Sequence, residues 1–292
     1  MKDRERILQY EVRNTFATVL AFKERAALMR EVVRLKEELL ELTKIKYEAG
    51  DVSTLEVNLA EVEASKVKSD LITVERSFGE SRLSLQETMG AGTKVLPTIE
   101  GQLAPEIAVI PDKDYLKAVL EDRPDIKAAV VEIDRTNRVD ALVWREAIPN
   151  PSLGGFYTRD EQRGEVGVIL SVSIPIFDRK QAQKREARAR MEQARIRRAG
   201  LGLAVEKEFE QEYMNLASSL LQLSIYKKEI LAKSLENLDL LNLAFKEGKI
   251  SFFDVRLAQR DAIDLRIAHL DTLLRAQQAI YGMERTIGGN LR

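Results

Sequence analysis

The side chains that could do chemistry in this sequence are mainly acids, because it has no cysteine and a single histidine, His269. Two acids occupy matching places: Glu56 and Asp254 each lie six residues after a glycine, Gly50 or Gly248. One interpretation is that both carboxylates stabilise the start of a helix. The other is that symmetric copies of the chain bring them together as rings of negative charge, which would filter or gate cations.

No motif typical of an enzyme accompanies these acids. The sequence has no Gly-x-Ser-x-Gly, no glycine-rich phosphate loop and no His-Glu-x-x-His. His269 has no cysteine, histidine or carboxylate four residues away, so it is interpreted as a polar residue of a helix seam. The lack of cysteine excludes disulfides and thiolate metal sites. We therefore expect a protein that is not an enzyme and that uses no cofactor or metal site.

A basic segment is the remaining candidate for binding chemistry. Nine lysines and arginines lie between residues 179 and 198. They could bind the phosphates of a nucleic acid. However, the formal net charge of the chain is −1, and no aromatic residues are interleaved with these cations. A solvated helix face, or one near acidic head groups, is the favoured interpretation, and we expect no nucleic-acid partner.

The two acids belong to two copies of one sequence pattern. Residues 47–61 and 245–259 each begin with an aromatic residue, Tyr47 or Phe245, and continue through a glycine, a serine and an acid. The copies are 198 residues apart, and the same offset still holds at the Thr-x-Gly of residues 88–90. A match of this length without a gap indicates an internal duplication.

Each copy is predicted to be an antiparallel helical hairpin. A glycine that ends an apolar periodic run stops a helix, because it adopts the left-handed conformation without a Cβ clash. Ser53 and Ser251 are suitable N-caps for the helices that follow. Each outgoing helix has a heptad seam that requires a partner helix. The first seam comprises Val57, Ala60, Ala64, Val67, Leu71, Val74, Phe78, Ser81, Leu85 and Thr88. The second comprises Val255, Ala258, Ala262, Leu265, His269, Thr272, Ala276, Ala279, Met283 and Thr286. The helix that enters the first turn has a seam of Val32, Leu35, Leu39 and Leu42.

Residues 152–177 are the one segment predicted to form β structure, with arms at 152–159 and 166–177 joined by a turn at 160–164. The second arm places Val168, Leu170, Val172 and Ile174 on one face and small or polar residues on the other. Arms of this length can span a bilayer, and the alternation fits a barrel wall with these four residues facing lipid. A soluble hairpin that caps a helical bundle would show the same pattern.

The predicted fold class is mainly α, with long antiparallel coiled-coil hairpins and one β-hairpin. Charged residues make up 32% of the chain and aromatic residues 6%, which is typical of long helices. Residues 1–92 form the first helical hairpin, 93–151 a linker with shorter helices, and 152–177 the β-hairpin. Residues 178–292 form the second helical hairpin, whose first helix is predicted to run unbroken to residue 247.

The order of these motifs resembles that of the TolC-type outer-membrane efflux family, and in particular its cation-efflux branch. The resemblance rests on the duplicated Gly-x-x-Ser turn, Arg-Pro-Asp at 123–125, Pro-Asn-Pro at 149–151 and Ser-Ile-Pro-Ile-Phe-Asp at 173–178. It implies a homotrimer that is a passive duct of a tripartite efflux system. Each copy would give strands to an outer-membrane barrel and helices to a periplasmic tunnel, whose tip docks on an adaptor joined to an inner-membrane pump.

The resemblance also implies roles for the residues at the two turns. Adaptor contacts are implied for Gly50, Val52, Ser53, Gly248, Ile250 and Ser251. The tip constriction is implied for Glu56, Asp254, Tyr47 and Phe245. Phe245 stands where a family tyrosine bonds to the neighbouring hairpin, so that bond is not expected here. Leu257 occupies a second acidic position of the family, so a weaker charge ring is expected.

The sequence departs from the family in having one β-hairpin instead of one in each repeat. Three copies would supply six strands, fewer than the smallest membrane barrels. No signal peptide opens the sequence at Met1. We therefore expect a piece of a longer outer-membrane protein, unable to form a channel alone. The alternative is a soluble coiled-coil structural protein, which has no need of alternating strands between two helical repeats.

Overall fold

The computed structural model describes residues 2–92, 98–105, 110–160, 163–173, 179–226 and 228–291. The described chain is mainly helical with one two-stranded antiparallel sheet, which confirms the predicted fold class. Ile174, predicted to face lipid, lies outside the described residues. No helix in these ranges combines the length and the apolar character required to cross a membrane.

The elements follow the predicted order. The helices are α1 (Lys2–Glu48), α2 (Thr54–Thr88), α3 (Lys113–Ala118), α4 (Pro124–Glu146), α5 (Gln181–Ile225), α6 (Lys228–Lys246) and α7 (Phe252–Ile287). The strands are β1 (Pro151–Asp160) and β2 (Arg163–Val172). The chain forms two compact units, Met1–Leu120 with Glu208–Arg292, and Glu121–Lys207. We refer to these as the first and the second unit.

In the first unit, α1 packs against both α2 and α7, and α7 also packs against α6. Every predicted seam residue of α2 and α7 is buried or half-buried, which confirms both seams. The seam of α1 meets the same criterion, because Val32 and Leu39 are buried and Leu35 and Leu42 half-buried, but the buried stripe of this helix is wider than predicted. The buried residues in that part of the helix are Val32, Lys36, Leu39, Thr43 and Lys46. Contact with two partner helices shifts the buried stripe toward residues that a single seam would leave outside.

Both hairpin turns have the conformation that the glycines predict. Gly50 and Gly248 have φ angles of 83° and 73°. After α1, the Asp51 amide donates to the Lys46 carbonyl at 2.9 Å. After α6, the Lys249 amide makes the matching bond to the Ala244 carbonyl at 2.8 Å. This six-to-one bond, closed by a left-handed glycine, is a Schellman motif, so the two turns match in geometry as well as in sequence.

The prediction of one unbroken helix before the second turn is wrong. Helix α5 ends at Ile225, and α6 begins at Lys228. The Ser224 hydroxyl donates to the carbonyl three residues earlier, at 2.7 Å. The Tyr226 amide also bonds to the carbonyl three residues earlier, at 3.1 Å. The amide bond is typical of a tightened last helical turn, and the continuous apolar period of the sequence gives no sign of this end.

In the second unit, the β-hairpin is in register from Pro151 opposite Val172 to Asp160 opposite Arg163. The predicted turn at 160–164 is therefore too long, because β1 continues to Asp160 and β2 already begins at Arg163. Val168, Leu170 and Val172 are 75%, 70% and 48% exposed, and their contact with lipid stays a prediction. The register places further residues on the same face, since opposite residues share a face in an antiparallel pair. Those with large side chains are Leu153, Tyr157 and Val166.

Candidate docking tip and channel constriction

The two repeat turns lie side by side at one end of the first unit. One buried cluster joins Leu39 and Ala60 of the first hairpin to Phe245, Phe252 and Val255 of the second. The Phe245 and Phe252 ring centres are 6.3 Å apart and tilted by 56°, a favourable aromatic arrangement. The structure therefore brings together the two sets of residues that the sequence separates by 198 positions. We call this end of the first unit the tip.

The predicted docking residues have the same exposure in the two turns. Gly50 and Ser53, like Gly248 and Ser251, are exposed. Val52 and Ile250 are half-buried, and Ile250 packs against the tip cluster. The tip therefore presents two matching polar turns above an apolar base. Their role as adaptor contacts stays a prediction.

Glu56 and Asp254 cap the helices that they begin. The Glu56 carboxylate accepts bonds from the Ser53 amide at 2.6 Å and from its hydroxyl at 3.0 Å. Asp254 accepts the matching pair from Ser251, at 3.0 and 2.7 Å. These bonds lower the pKa of Asp254, so this carboxylate stays ionised at neutral pH. The capping interpretation is confirmed, and a charged cap remains available to form a ring.

Tyr47 and Phe245 are equivalent in the repeat but lie in different surroundings. Tyr47 is 46% exposed, and its hydroxyl accepts a bond from the Thr54 hydroxyl at 3.3 Å. Phe245 is 2% exposed, and the Lys46 amine lies 5.3 Å from its ring centre. In the single chain, Phe245 is therefore packed inside the tip, whereas Tyr47 lies on its surface. The part of either residue in a constriction stays a prediction.

An ionic triad near the tip was not predicted from the sequence. Lys36 of α1 donates to Glu63 of α2 at 3.0 Å, and Arg256 of α7 donates to the other oxygen of the same carboxylate. Burial alone would raise the pKa of Glu63, but the bonds from Arg256 and Lys36 outweigh it and lower the pKa. The sequence feature that could have indicated the triad is Lys36 itself, which lies at heptad spacing between the apolar residues Val32 and Leu39. The triad connects three helices and both repeats.

His269 occupies its predicted place in the α7 seam. It is half-buried, with its ring centre 5.7 Å from that of Tyr226. Burial lowers the pKa of His269, so its ring is uncharged at neutral pH. Within the described ranges, no three histidine, aspartate or glutamate side chains are grouped so that they could hold a metal ion.

Comparison with known proteins gives consistent results. The family model described as "Outer membrane efflux protein" matches residues 115–289. The cobalt-zinc-cadmium resistance protein CzcC of Cupriavidus metallidurans is 22% identical over 283 residues, covering 96% of this chain and 68% of that protein. Similar solved structures include a membrane protein from Pseudomonas aeruginosa, with a TM-score of 0.79, 20% identity, and coverage of 99% of this chain and 67% of that one. The outer membrane protein VceC of Vibrio cholerae gives a TM-score of 0.78, 16% identity, and coverage of 98% and 71%. At these identities the two structures establish a shared fold.

Proposed function

The chain belongs to the outer membrane efflux protein family, and on this premise we propose that its tip is the adaptor-docking end of an efflux duct. Proteins of this family are passive outer-membrane conduits, not enzymes, and they act as trimers with a periplasmic adaptor and an inner-membrane pump. The soluble structural protein considered as an alternative is therefore set aside. The observation that carries the proposal is the shared cluster that holds both repeat turns at one end of the first unit.

The outer helices of the first unit provide surfaces for neighbouring copies. Helix α2 exposes Val62, Ile72 and Leu83 by 64%, 69% and 51%. Helix α6 exposes Leu240 and Leu243 by 57% and 52%. Large apolar side chains exposed along one helix are typical of an interaction surface. In the proposed homotrimer, these faces of α2 and α6 belong to contacts between adjacent copies, and the paired hairpins of each copy form part of the tunnel wall.

The docking proposal predicts where the adaptor can be crosslinked. A photoreactive residue in place of Asp51 or Lys249, both exposed at the turns, is expected to crosslink to the adaptor in intact cells. The matched control is the same residue in place of Leu83, about 40 Å along α2 from its start, which is expected to crosslink to a second copy of the chain. Mass spectrometry of the products identifies both partners. Adaptor crosslinks at Leu83 with none at the turns would contradict the docking of the tip.

The tip acids are proposed to form a cation-attracting constriction. Replacing Asp254 with asparagine and Glu56 with glutamine is expected to lower the cation-over-anion permeability ratio by about fivefold, because a unit charge a few ångströms from an ion contributes about this much even in water. The new amides can still accept the capping bonds, so the tip should remain folded. The measurement is the reversal potential of the full-length protein, with and without these exchanges, in planar bilayers under a salt gradient.

A control substitution and the pH dependence of Asp254 make this test of the constriction more specific. The exchange Glu61→Gln removes one exposed charge from the same helix as Glu56 and is expected to leave the permeability ratio unchanged. The pKa of Asp254 is lowered. Its contribution to the cation preference should therefore persist at pH values below the usual carboxyl pKa and disappear only as the pH falls through the lowered pKa. An equal effect of all three exchanges would contradict a constriction at the tip. An attraction for cations would suit the export of metal cations, and the similar protein CzcC is named for resistance to cobalt, zinc and cadmium.

A further inference from the structure

The second unit has a cationic and aromatic surface where α4 ends and α5 begins. Trp144, the one tryptophan of the chain, is 44% exposed in the last turn of α4. The Lys184 amine lies 4.0 Å from the centre of its ring, and the Arg188 guanidinium carbon lies 5.1 Å from it. Two cations of α5 are thus held together over one exposed aromatic ring. We call these three residues the Trp144 cluster.

Most cations in the later part of the basic segment of α5 have carboxylate partners, whereas most of those at its start do not. Three cations farther from its start have carboxylate partners within 4 Å: Arg190 with Glu186, Arg195 with Glu192 and Arg198 with Glu121. At its start, Lys180 pairs with Glu146 at 2.9 Å, and four other cations have no carboxylate partner among the described residues: Arg179, Lys184, Arg185 and Arg188. The first turn of α5 also contains no acidic residue. Cations near the start of a helix are repelled by its dipole, so an anion from outside the chain would stabilise this arrangement.

The uncompensated end of α5 is also the end from which the β-hairpin emerges. Pro151 begins β1, Val172 ends β2, and the two residues are opposite each other in the sheet. Trp144 precedes Pro151 by seven residues, and Arg179 follows Val172 by seven. If the exposed apolar face of the hairpin lies in the outer membrane, the Trp144 cluster is at the membrane surface on the side of the periplasmic helices. The anions present at that surface are the phosphates of phospholipid head groups.

We propose that the Trp144 cluster binds the phosphate-bearing head group of an anionic glycerophospholipid in the periplasmic leaflet of the outer membrane. This inference rests on the proposed membrane insertion of the β-hairpin. Arg188 can donate two parallel bonds to phosphate oxygens, and Lys184 adds a compact positive charge. Tryptophan favours the interfacial region because its ring is amphipathic. The site would hold the root of the hairpin at a fixed depth in the membrane.

The single tryptophan makes the site directly measurable, because bromine on a lipid chain quenches the fluorescence of a tryptophan close to it. The full-length protein, with any tryptophan outside residues 1–292 replaced by phenylalanine, is reconstituted into vesicles that contain brominated phosphatidylglycerol or, at the same mole fraction, brominated phosphatidylcholine. Quenching of Trp144 is expected to be stronger with the anionic lipid. Replacing Lys184 and Arg188 with glutamine is expected to reduce this preference by about fivefold for each cation removed. The matched control replaces Arg190 and Arg195, which have carboxylate partners on the same helix, and should retain the preference.

The outcomes separate the site from the membrane insertion on which it rests. Equal quenching by the two lipids would overturn the head-group site and leave the inserted hairpin intact. A preference for the anionic lipid that survives the loss of both Lys184 and Arg188 would overturn its assignment to these residues. Absence of quenching by either lipid would contradict the insertion of the hairpin itself and therefore also the site. Circular dichroism of each variant establishes that the helices are retained.

Discussion

Replacing Phe252 with alanine is expected to lower the free energy of unfolding of the tip by about 3–5 kcal/mol and to abolish efflux. Phe252 is fully buried, and it packs against Phe245 of the preceding helix in a cluster that includes Leu39 and Ala60 of the other hairpin. Its removal leaves a cavity between the repeats, so both turns should lose their fixed positions. Hydrogen exchange of the amides in residues 245–255 measures the local stability, and growth of cells under export stress measures efflux.

The neighbouring residue gives a matched control for this prediction. Phe253 undergoes the same chemical change on substitution with alanine, but it is 47% exposed and its ring meets that of Phe252 only edge-on. We expect this exchange to cost less than about 1 kcal/mol, as is usual for surface positions. Equal losses from the two exchanges would mean that the tip cluster does not hold the repeats together, and the docking proposal would lose its structural basis.

The helix seams and the turns could be predicted from the sequence because their causes are local. In α2 and α7, small and apolar residues recur at steps of three and four, and each helix presents this stripe to its partner. At the turns, Gly50 and Gly248 require positive φ angles, and the serine and acid that follow them meet within one helical turn. The capping bonds of Glu56 and Asp254 therefore follow from a spacing of three residues, which the sequence displays directly.

The parts that could not be predicted depend on contacts between distant segments. Lys36 and Lys46 are 6% and 8% exposed, although their residue type predicts solvent exposure. Lys36 is buried against Glu63 of α2, and Lys46 lies over the Phe245 ring of α6 with Asp51 of the turn 3.7 Å away. Glu63 and Phe245 are both distant in sequence from the lysines that they cover. Tyr47 and Phe245 are equivalent in an alignment of the repeats, but one is exposed and the other buried. This difference also depends on contacts between distant segments. The face shared by Leu153 and Val168 likewise required the strand register, which alternation within a single strand does not determine.

Replacing Glu63 with glutamine is expected to weaken the packing of α1, α2 and α7 by about 2 kcal/mol, because it leaves Lys36 buried without a negative partner. The Lys36 side chain is 7% exposed, whereas those of Glu63 and Arg256 are 20% and 43% exposed. Screening at the more exposed Arg256 places the expected loss below that of a fully buried pair. Hydrogen exchange at residues 59–67 measures this loss, and Glu61→Gln, an exposed change on the same helix, should have almost no effect.

The pH dependence and a second substitution identify the cause of the loss. Because the pKa of Glu63 is lowered in the folded protein, its contribution is fully present above the usual carboxyl pKa and is lost as the pH falls through the lowered value. The native protein should therefore lose this local stability at acidic pH. The local stability of the Glu63→Gln variant should not change over the same pH range, because the variant lacks this contribution at every pH. Adding Lys36→Met to that variant removes the unpaired buried charge and should recover most of the stability. Without that recovery, the effect of Glu63 would have to come from packing, and the triad would not be the ionic link between the two repeats.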